Sequence, residues 1–336
     1  MTAPRIVLAG GVFSTRVTLE RLIAHGAPVV GVLGFEPDDP SGVSGYARLD
    51  DLCAEAGIPY AGFRRINDPT VIETARTWSP DLLFVVGLSQ LVGAELMDVP
   101  SRATVGFHPT ALPKGRGRAP IAWLVLEADE GAATFFVIDD GVDSGPILAQ
   151  ERFTVEPTDD ATSIADRIAG AARLALDRWV PSLLAGAWDP VPQDDAEATW
   201  YGRRTPLDGW IDWGQPASQV HRLIRAATRP HPGAFTHRGD RRIRVWQATV
   251  VGRRITATLG RVVELDEGRP IVQCGAGHLR LDVIEADDGA PVDLRVGWTL
   301  GYRVEHEVYQ LRERVRALEA RLDALAPRPD ADGADE

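Results

Sequence analysis

Ser79-Pro80-Asp81-Leu82-Leu83-Phe84-Val85-Val86-Gly87-Leu88-Ser89-Gln90 is the stretch on which the fold turns. A proline precedes it, five apolar residues follow Asp81 without polar alternation, and Gly87 ends the run. A half-exposed strand would alternate, so this pattern predicts a central strand buried on both faces, as in a parallel sheet covered by helices. The segments before it agree. Ile6 to Ala9 reads as a strand, and Thr15 to His25 as a helix with Val17, Leu19, Leu22 and Ile23 apolar and Gly26 placed to stop it. Val29 to Leu33 is a second strand, and Tyr46 to Ala56 a second helix stopped at Gly57. Alternation of this kind predicts an α/β fold with a mostly parallel sheet. Such sheets bind ligands beyond the carboxyl ends of their strands, so the loop from Gly87 to Gln90 should open toward the site. Ala9-Gly10-Gly11 lacks the G-x-G-x-x-G spacing of a dinucleotide cradle and reads as a tight turn.

Outward from that sheet, a helix from Thr158 to about Leu184 closes a first domain over residues 1–189. Residues 190–204, proline-containing and acidic, read as a linker. Residues 205–302 carry short strands such as Arg242 to Val250 and Gly260 to Val263 and predict a smaller, β-rich, barrel-like domain. Residues 303–326 read as a heptad helix. Val308, Val315 and Leu322 fall at a, and Val304, Leu311, Leu318 and Leu325 at d. Glu307 would face Arg312 of a partner and Arg314 would face Glu319, the pattern of a parallel two-stranded coiled coil. A homodimer through residues 304–325 is therefore expected, against a helix folded onto its own body. Residues 327–336 are acidic and expected to be disordered.

The chain has 336 residues and a net charge of −12, which disfavours a nucleic-acid coat. Residues 201–303 are locally basic, with 16 arginines against 11 acids, among them Arg238, Arg241, Arg242, Arg244, Arg253 and Arg254. They could meet phosphates or line a solvated surface. Cys53 and Cys274 match no metal spacing, and no metal is expected. No apolar run approaches the roughly 20 residues of a membrane span, and the start lacks an export pattern, so the expected compartment is the cytoplasm.

Two further runs carry chemistry: Gly106-Phe107-His108-Pro109-Thr110-Ala111-Leu112-Pro113-Lys114-Gly115-Arg116-Gly117-Arg118-Ala119-Pro120-Ile121 and Asp139-Asp140-Gly141-Val142-Asp143-Ser144-Gly145. Together they resemble the signature of the N10-formyltetrahydrofolate-dependent formyltransferases, His-Pro-Ser-Leu-Leu-Pro-x-x-Arg-Gly followed by Asp-x-Gly-x-Asp-x-Gly. The resemblance implies a Rossmann-like catalytic domain and a β-barrel-like second domain. It extends over about residues 5 to 300, through Gly57-Ile58-Pro59-Tyr60, Gly202-Arg203-Arg204-Thr205-Pro206 and His231-Pro232-Gly233-Ala234-Phe235. One departure stands out: the family begins its motif with an asparagine where this chain has Gly106.

Moving a formyl group to an amine passes through a tetrahedral oxyanion and releases an amine proton. His108 is expected to hydrogen-bond the oxyanion, and Asp143 to favour the protonated imidazole and accept the proton. His108 follows a strand from Ala103 to Phe107, and Asp143 follows one from Thr134 to Ile138, so adjacent strand ends could join them. Losing the amide at Gly106 would cost about 10²- to 10³-fold in turnover if nothing replaced it. Gln90 is the expected replacement.

By the resemblance, N10-formyltetrahydrofolate would lie against Val85, Val86, Gly87, Leu88, Ser89, Gln90, Leu91, Leu112, Pro113, Asp139, Asp140, Gly141 and Val142. Lys114, the only lysine, with Arg116, Arg118, Arg203 and Arg204, would contact the acceptor. Through Arg116-Gly117-Arg118-Ala119-Pro120, Arg203-Arg204-Thr205-Pro206 and Pro232-Gly233-Ala234-Phe235 the chain resembles enzymes that formylate the amine of a nucleotide-linked 4-amino sugar. Methionyl-tRNA formyltransferase is the competitor, but its lysine-rich insertion is matched here by acidic Pro37-Asp38-Asp39-Pro40-Ser41-Gly42-Val43-Ser44-Gly45, which would repel RNA. A folate- or nucleotide-binding homologue without turnover is the third reading.

Overall fold

The computed structural model describes residues 2–302 and 304–325. A seven-stranded sheet organises the first half, built from β1 (Ile6–Gly10), β2 (Val29–Phe35), β3 (Tyr60–Phe63), β4 (Leu82–Val85) and β5 (Ala103–His108), all parallel. After the two-residue β6 (Arg116–Gly117), β7 (Glu130–Val137) and β8 (Ile147–Thr154) join antiparallel, giving the order β3-β2-β1-β4-β5-β7-β8. The apolar run of β4 sits in the middle and is fully buried, as its lack of alternation requires.

Successive residues divide between the two faces. Ile6, Leu8, Leu82 and Phe84 pack against α1 (Phe13–Ala24) and a long helix at 161–184, where the Phe84 and Trp179 rings stack 5.7 Å apart. Val7, Ala9, Leu83 and Val85 face the other way, onto Val71, Ile72 and Ala75 of a helix at 69–77 and Leu96. Between them come α2 (Asp50–Ala56), α3 (Pro69–Thr77), α4 (Ala94–Met97), α5 (Pro120–Glu127) and α6 (Ala161–Leu184). Asp160 and Ser163 cap α6 reciprocally, which sets its start later than the apolar pattern indicates. The second helix also starts late, at Asp50, because Ala47 donates to the Gly11 carbonyl and Tyr46 bridges Val12. Gly10 makes the turn after β1, where a β-carbon would lie 2.1 Å from the Val86 carbonyl oxygen.

The stretch read as a linker holds a short strand, β9 (Trp200–Tyr201), paired with β6. Beyond it, α7 (Ala217–Ala227) buries Val220 and Ile224 against a five-stranded antiparallel sheet. Its strands are β10 (Ala234–Arg238), β11 (Arg241–Val251), β12 (Val262–Asp266), β13 (Arg269–Gln273) and β14 (His278–Ala286), in the order β10-β11-β14-β13-β12. Edge strands β10 and β12 are not paired. The segment 297–301 spans the gap, with Leu300 N–H donating to the Gly260 carbonyl and Gly301 N–H to that of His237, which gives the barrel-like closure.

Finally α8 (Val304–Leu325) runs with Val304, Val308, Leu311, Val315, Leu318 and Leu322 of its expected seam exposed and not covered by the body. The expected tail at 327–336 lies outside the described residues. Among the described residues no helix is long and apolar enough to cross a membrane, and no group of acidic, histidine or cysteine side chains could hold a metal. Both cysteines are buried free thiols, Cys53 pushed up to about 11 and Cys274 to about 12 by burial.

Candidate active site

β5 ends on His108, 5% exposed, and the β7–β8 loop brings Asp143 back over it. His108 Nδ1 lies 3.5 Å from Asp143 Oδ2. The other ring nitrogen, Nε2, is 2.9 Å from the Gly115 carbonyl oxygen, which can only accept. The proton therefore sits on Nε2, leaving a lone pair on Nδ1. Burial pushes the His108 pKa down, while Asp143 and the Gly115 carbonyl pull it up less strongly. As placed, the imidazole has one donor and that donor is used.

Asp143 adopts φ +50° in the left-handed region, which an aspartate tolerates better than most residues. Its Oδ2 accepts from the Gly117 N–H at 2.9 Å, so the carboxylate is pinned to the loop that carries the histidine's acceptor. Asp139 turns the start of its loop by accepting from Gly141 N–H and the Ser144 hydroxyl. Thr134 donates to the Thr110 carbonyl at 2.7 Å, and Gln150 to the Leu112 carbonyl at 3.0 Å, so β7 and β8 hold the 108–117 loop from beneath.

Arg116, expected from its place in the motif to contact the acceptor, is bound within the protein. It is 3% exposed, donates to Gln193 Oε1 from Nε and Nη2, and pairs with Asp195 at 2.8 Å. The Gln193 amide in turn donates to the backbone carbonyls of Asp143 and Gly145 at 2.8 and 2.7 Å. Thr199 accepts from Gly115 N–H at 2.8 Å. The stretch expected to be a linker thus clamps the loops around His108 and Asp143. A glutamine in an acidic, proline-containing stretch gives no signal for this in a single sequence.

Gln90 is the second correction. Its Oε1 accepts from Ile66 N–H at 2.8 Å and its Nε2 donates to the Arg64 carbonyl at 2.7 Å, so its amide ties two loops together and is not free to replace the missing one. The segment around it is tied to the motif loop. Arg118 Nη2 donates to the Ser89 carbonyl at 3.3 Å, and Leu88 packs with Ile138 on the cluster containing Val85. Leu91 and Val142 are exposed by 83% and 60%, Val86 and Leu112 are buried, and Pro113 is half-buried. Gly87 is half-buried, while Asp140 and Gly141 are exposed.

Lys114, Arg118 and Arg203 are exposed. Arg204 lies over the Trp123 ring, which stacks on Tyr201, and Tyr201 comes close to Gly115. Burial lowers the Arg204 pKa. Arg241 pairs with Asp288, Arg242 and Arg244 with Asp287, and Arg253 with Glu264 and Asp266, which favours the solvated-surface reading.

Residues 12–180 match the family model described as formyl transferase, and residues 204–299 match that of the formyl transferase C-terminal domain. Among solved structures, the chain is similar to an N-formyltransferase from Helicobacter canadensis in complex with folinic acid and dTDP-3-aminofucose. Identity is 16% and the TM-score 0.63 over 84% of this chain and 99% of that one. Methionyl-tRNA formyltransferase from Clostridium thermocellum matches at 17% identity and TM-score 0.54, over 84% and 98%. HypX from Aquifex aeolicus in complex with tetrahydrofolic acid matches at 16% identity and TM-score 0.61, covering 85% of this chain. The chain spans only 45% of HypX. At such identities the likeness is one of fold. The two family models together reach from the first turn after β1 to the end of the second domain, so the chain belongs to the formyl transferase family.

Proposed function

We propose that this chain moves a formyl group from N10-formyltetrahydrofolate to the primary amine of a nucleotide-linked amino sugar. The observation that carries the reading is the meeting of His108 Nδ1 and Asp143 Oδ2, 3.5 Å apart at the carboxyl end of β5. That separation exceeds a hydrogen bond and leaves Nδ1 free to accept. In the reaction the amine nitrogen bonds to the formyl carbon, and the bond from that carbon to N10 breaks. The amine's surplus proton passes to Nδ1 and from there to N10 as it leaves, so one amide and one tetrahydrofolate result and the imidazole is neutral again. Burial keeps His108 neutral and able to accept. Asp143 balances the imidazolium that forms, and that cation stabilises the charge on the formyl oxygen.

Exposed Leu91 and Val142 and half-buried Leu88 and Pro113 offer apolar surface for a pterin. Lys114, Arg118 and Arg203 offer cations for a diphosphate, and the Trp123–Tyr201–Arg204 stack offers an aromatic surface near Gly115. The Helicobacter canadensis structure, with its folinic acid and dTDP-3-aminofucose, supports the same pair of ligands here. Acidic residues 37–45 and the ion-paired arginines of β11 speak against charged tRNA as the acceptor. The test is a panel of nucleotide-linked 3- and 4-amino sugars, with charged initiator tRNA in parallel, followed by tetrahydrofolate release. Formylation of a sugar nucleotide supports the reading, and formylation of tRNA alone overturns it.

The exposed seam of α8 supports a parallel homodimer through residues 304–325.

A further inference from the structure

Gly106 and His108 are two residues apart on β5, so their side-chain directions share one face of the sheet. Opposite them on β7 stand Phe136 and Thr134, in register with Gly106 and His108. Directly opposed residues of an antiparallel pair project to the same side. Phe136 is therefore a neighbour of the functional histidine, and it is buried.

Its ring takes the room that a side chain at 106 would need. A β-carbon there would stand 2.8 and 2.9 Å from Cζ and Cε1 of Phe136 and 3.0 Å from Cγ1 of Ile138. Carbon atoms at van der Waals contact lie about 3.5 to 4.0 Å apart, so the buried ring must shift to admit a residue larger than glycine. The polar groups around this spot are already committed. Thr134 donates to the Thr110 carbonyl, Thr110 to the Gly115 carbonyl, Ser144 to Asp139 and Gly117 N–H to Asp143. Gln150 donates to the Leu112 carbonyl and to Thr134 Oγ1.

We infer that Gly106 and Phe136 form a size-matched pair that makes the side of the centre facing β7 apolar, and that Phe136 thereby sets the rate of formyl transfer. This rests on the chain using a formyl donor. The proton-accepting half, His108 and Asp143, is intact. The half that would meet the formyl oxygen with an amide from β5 is replaced by an aromatic wall, so the charge on that oxygen is met by the imidazolium alone. Removing one oxyanion donor costs an acyl-transfer site about 10²- to 10³-fold. Restoring one, with the ring removed to admit it, should recover a comparable factor.

The test compares the natural chain with Gly106→Asn, Phe136→Ala and Gly106→Asn/Phe136→Ala. Hydroxylamine serves as a small amine that needs no acceptor recognition, and folinic acid as the probe of donor binding. Gly106→Asn alone should lower Tm, and Phe136→Ala should relieve that loss. The double variant should turn over about 10²-fold faster than Phe136→Ala, with folinic acid affinity unchanged. If Gly106→Asn fails to fold, Gly106→Ala reads the same clash through Tm. An unchanged Tm for both substitutions at 106, or a double variant that binds folinic acid yet is no faster than Phe136→Ala, overturns the inference. Failure of all four chains to bind folinic acid would overturn the donor reading, and this inference with it.

Discussion

Arg116 and Arg253 carry the same guanidinium and are used in opposite ways. Arg116 is buried, saturates Gln193 and pairs with Asp195, and through Gln193 it holds the backbone on which Asp143 stands. Arg253 lies on the second domain's surface, paired with Glu264 at 2.8 Å and Asp266 at 3.8 Å in reach of solvent. The first is a fixed strut under a functional loop, whereas the second is screened by water and salt. Residue type alone does not separate these uses. What separates them is whether the chain has brought uncharged acceptors into a dry place to meet the cation.

That contrast can be broken at several points. The largest effect on turnover should come from Gln193→Ala, which leaves two carbonyls and a buried guanidinium without their partner. We expect a stability loss of about 1–3 kcal/mol and a fall in kcat beyond tenfold with KM for the donor little changed. A variant that lost stability but kept kcat would reduce the clamp to a scaffold. Arg116→Met should lower stability by about 3 kcal/mol in urea unfolding, since hydrogen bonds to a charged group are lost together. Arg253→Gln should change it by about 1 kcal/mol or less. Equal losses at the two positions would erase the distinction.

A pH series sharpens it further. Burial lowers the folded-state pKa of His108, so below about 6.5, its ordinary value, the unfolded chain binds the proton more readily. Stability contributed by the neutral ring is thus present above that pH and lost as pH falls below it. His108→Gln should show a shallower acid limb in Tm against pH, and an identical limb would mean the ring is not held neutral. The smallest effect on catalysis should follow truncation after Tyr302, which removes α8. Sedimentation should shift from dimer to monomer while kcat stays unchanged, and a monomer before truncation would contradict the pairing.

Much of the fold was legible because it is written in local periodicity. The unbroken apolar run of β4 announced a strand buried on both sides, and Gly57 ended its helix in the left-handed conformation. The start of α2 was not legible, because Tyr46 and Ala47 are recruited by the backbone of Gly11 and Val12, far away in sequence. The same limit applies at the site. His108 and Asp143 could be paired from their motif, and the structure brings them together. Gln90 looked free and is bound at both ends. Arg116 looked like a ligand contact and is a strut, and Phe136 gave no hint that it fills the place beside Gly106. Each miss concerns a partner supplied by a distant segment, which spacing within a motif does not encode.

The most direct test of the central claim is single-turnover formyl transfer by the natural chain and by Asp143→Asn, each saturated with N10-formyltetrahydrofolate and offered the nucleotide-linked amino sugars. The account predicts a formylated sugar nucleotide and stoichiometric tetrahydrofolate from the natural chain. Asp143→Asn should be slower by about 10²- to 10⁴-fold while still binding the donor. Equal rates from the two proteins would contradict it.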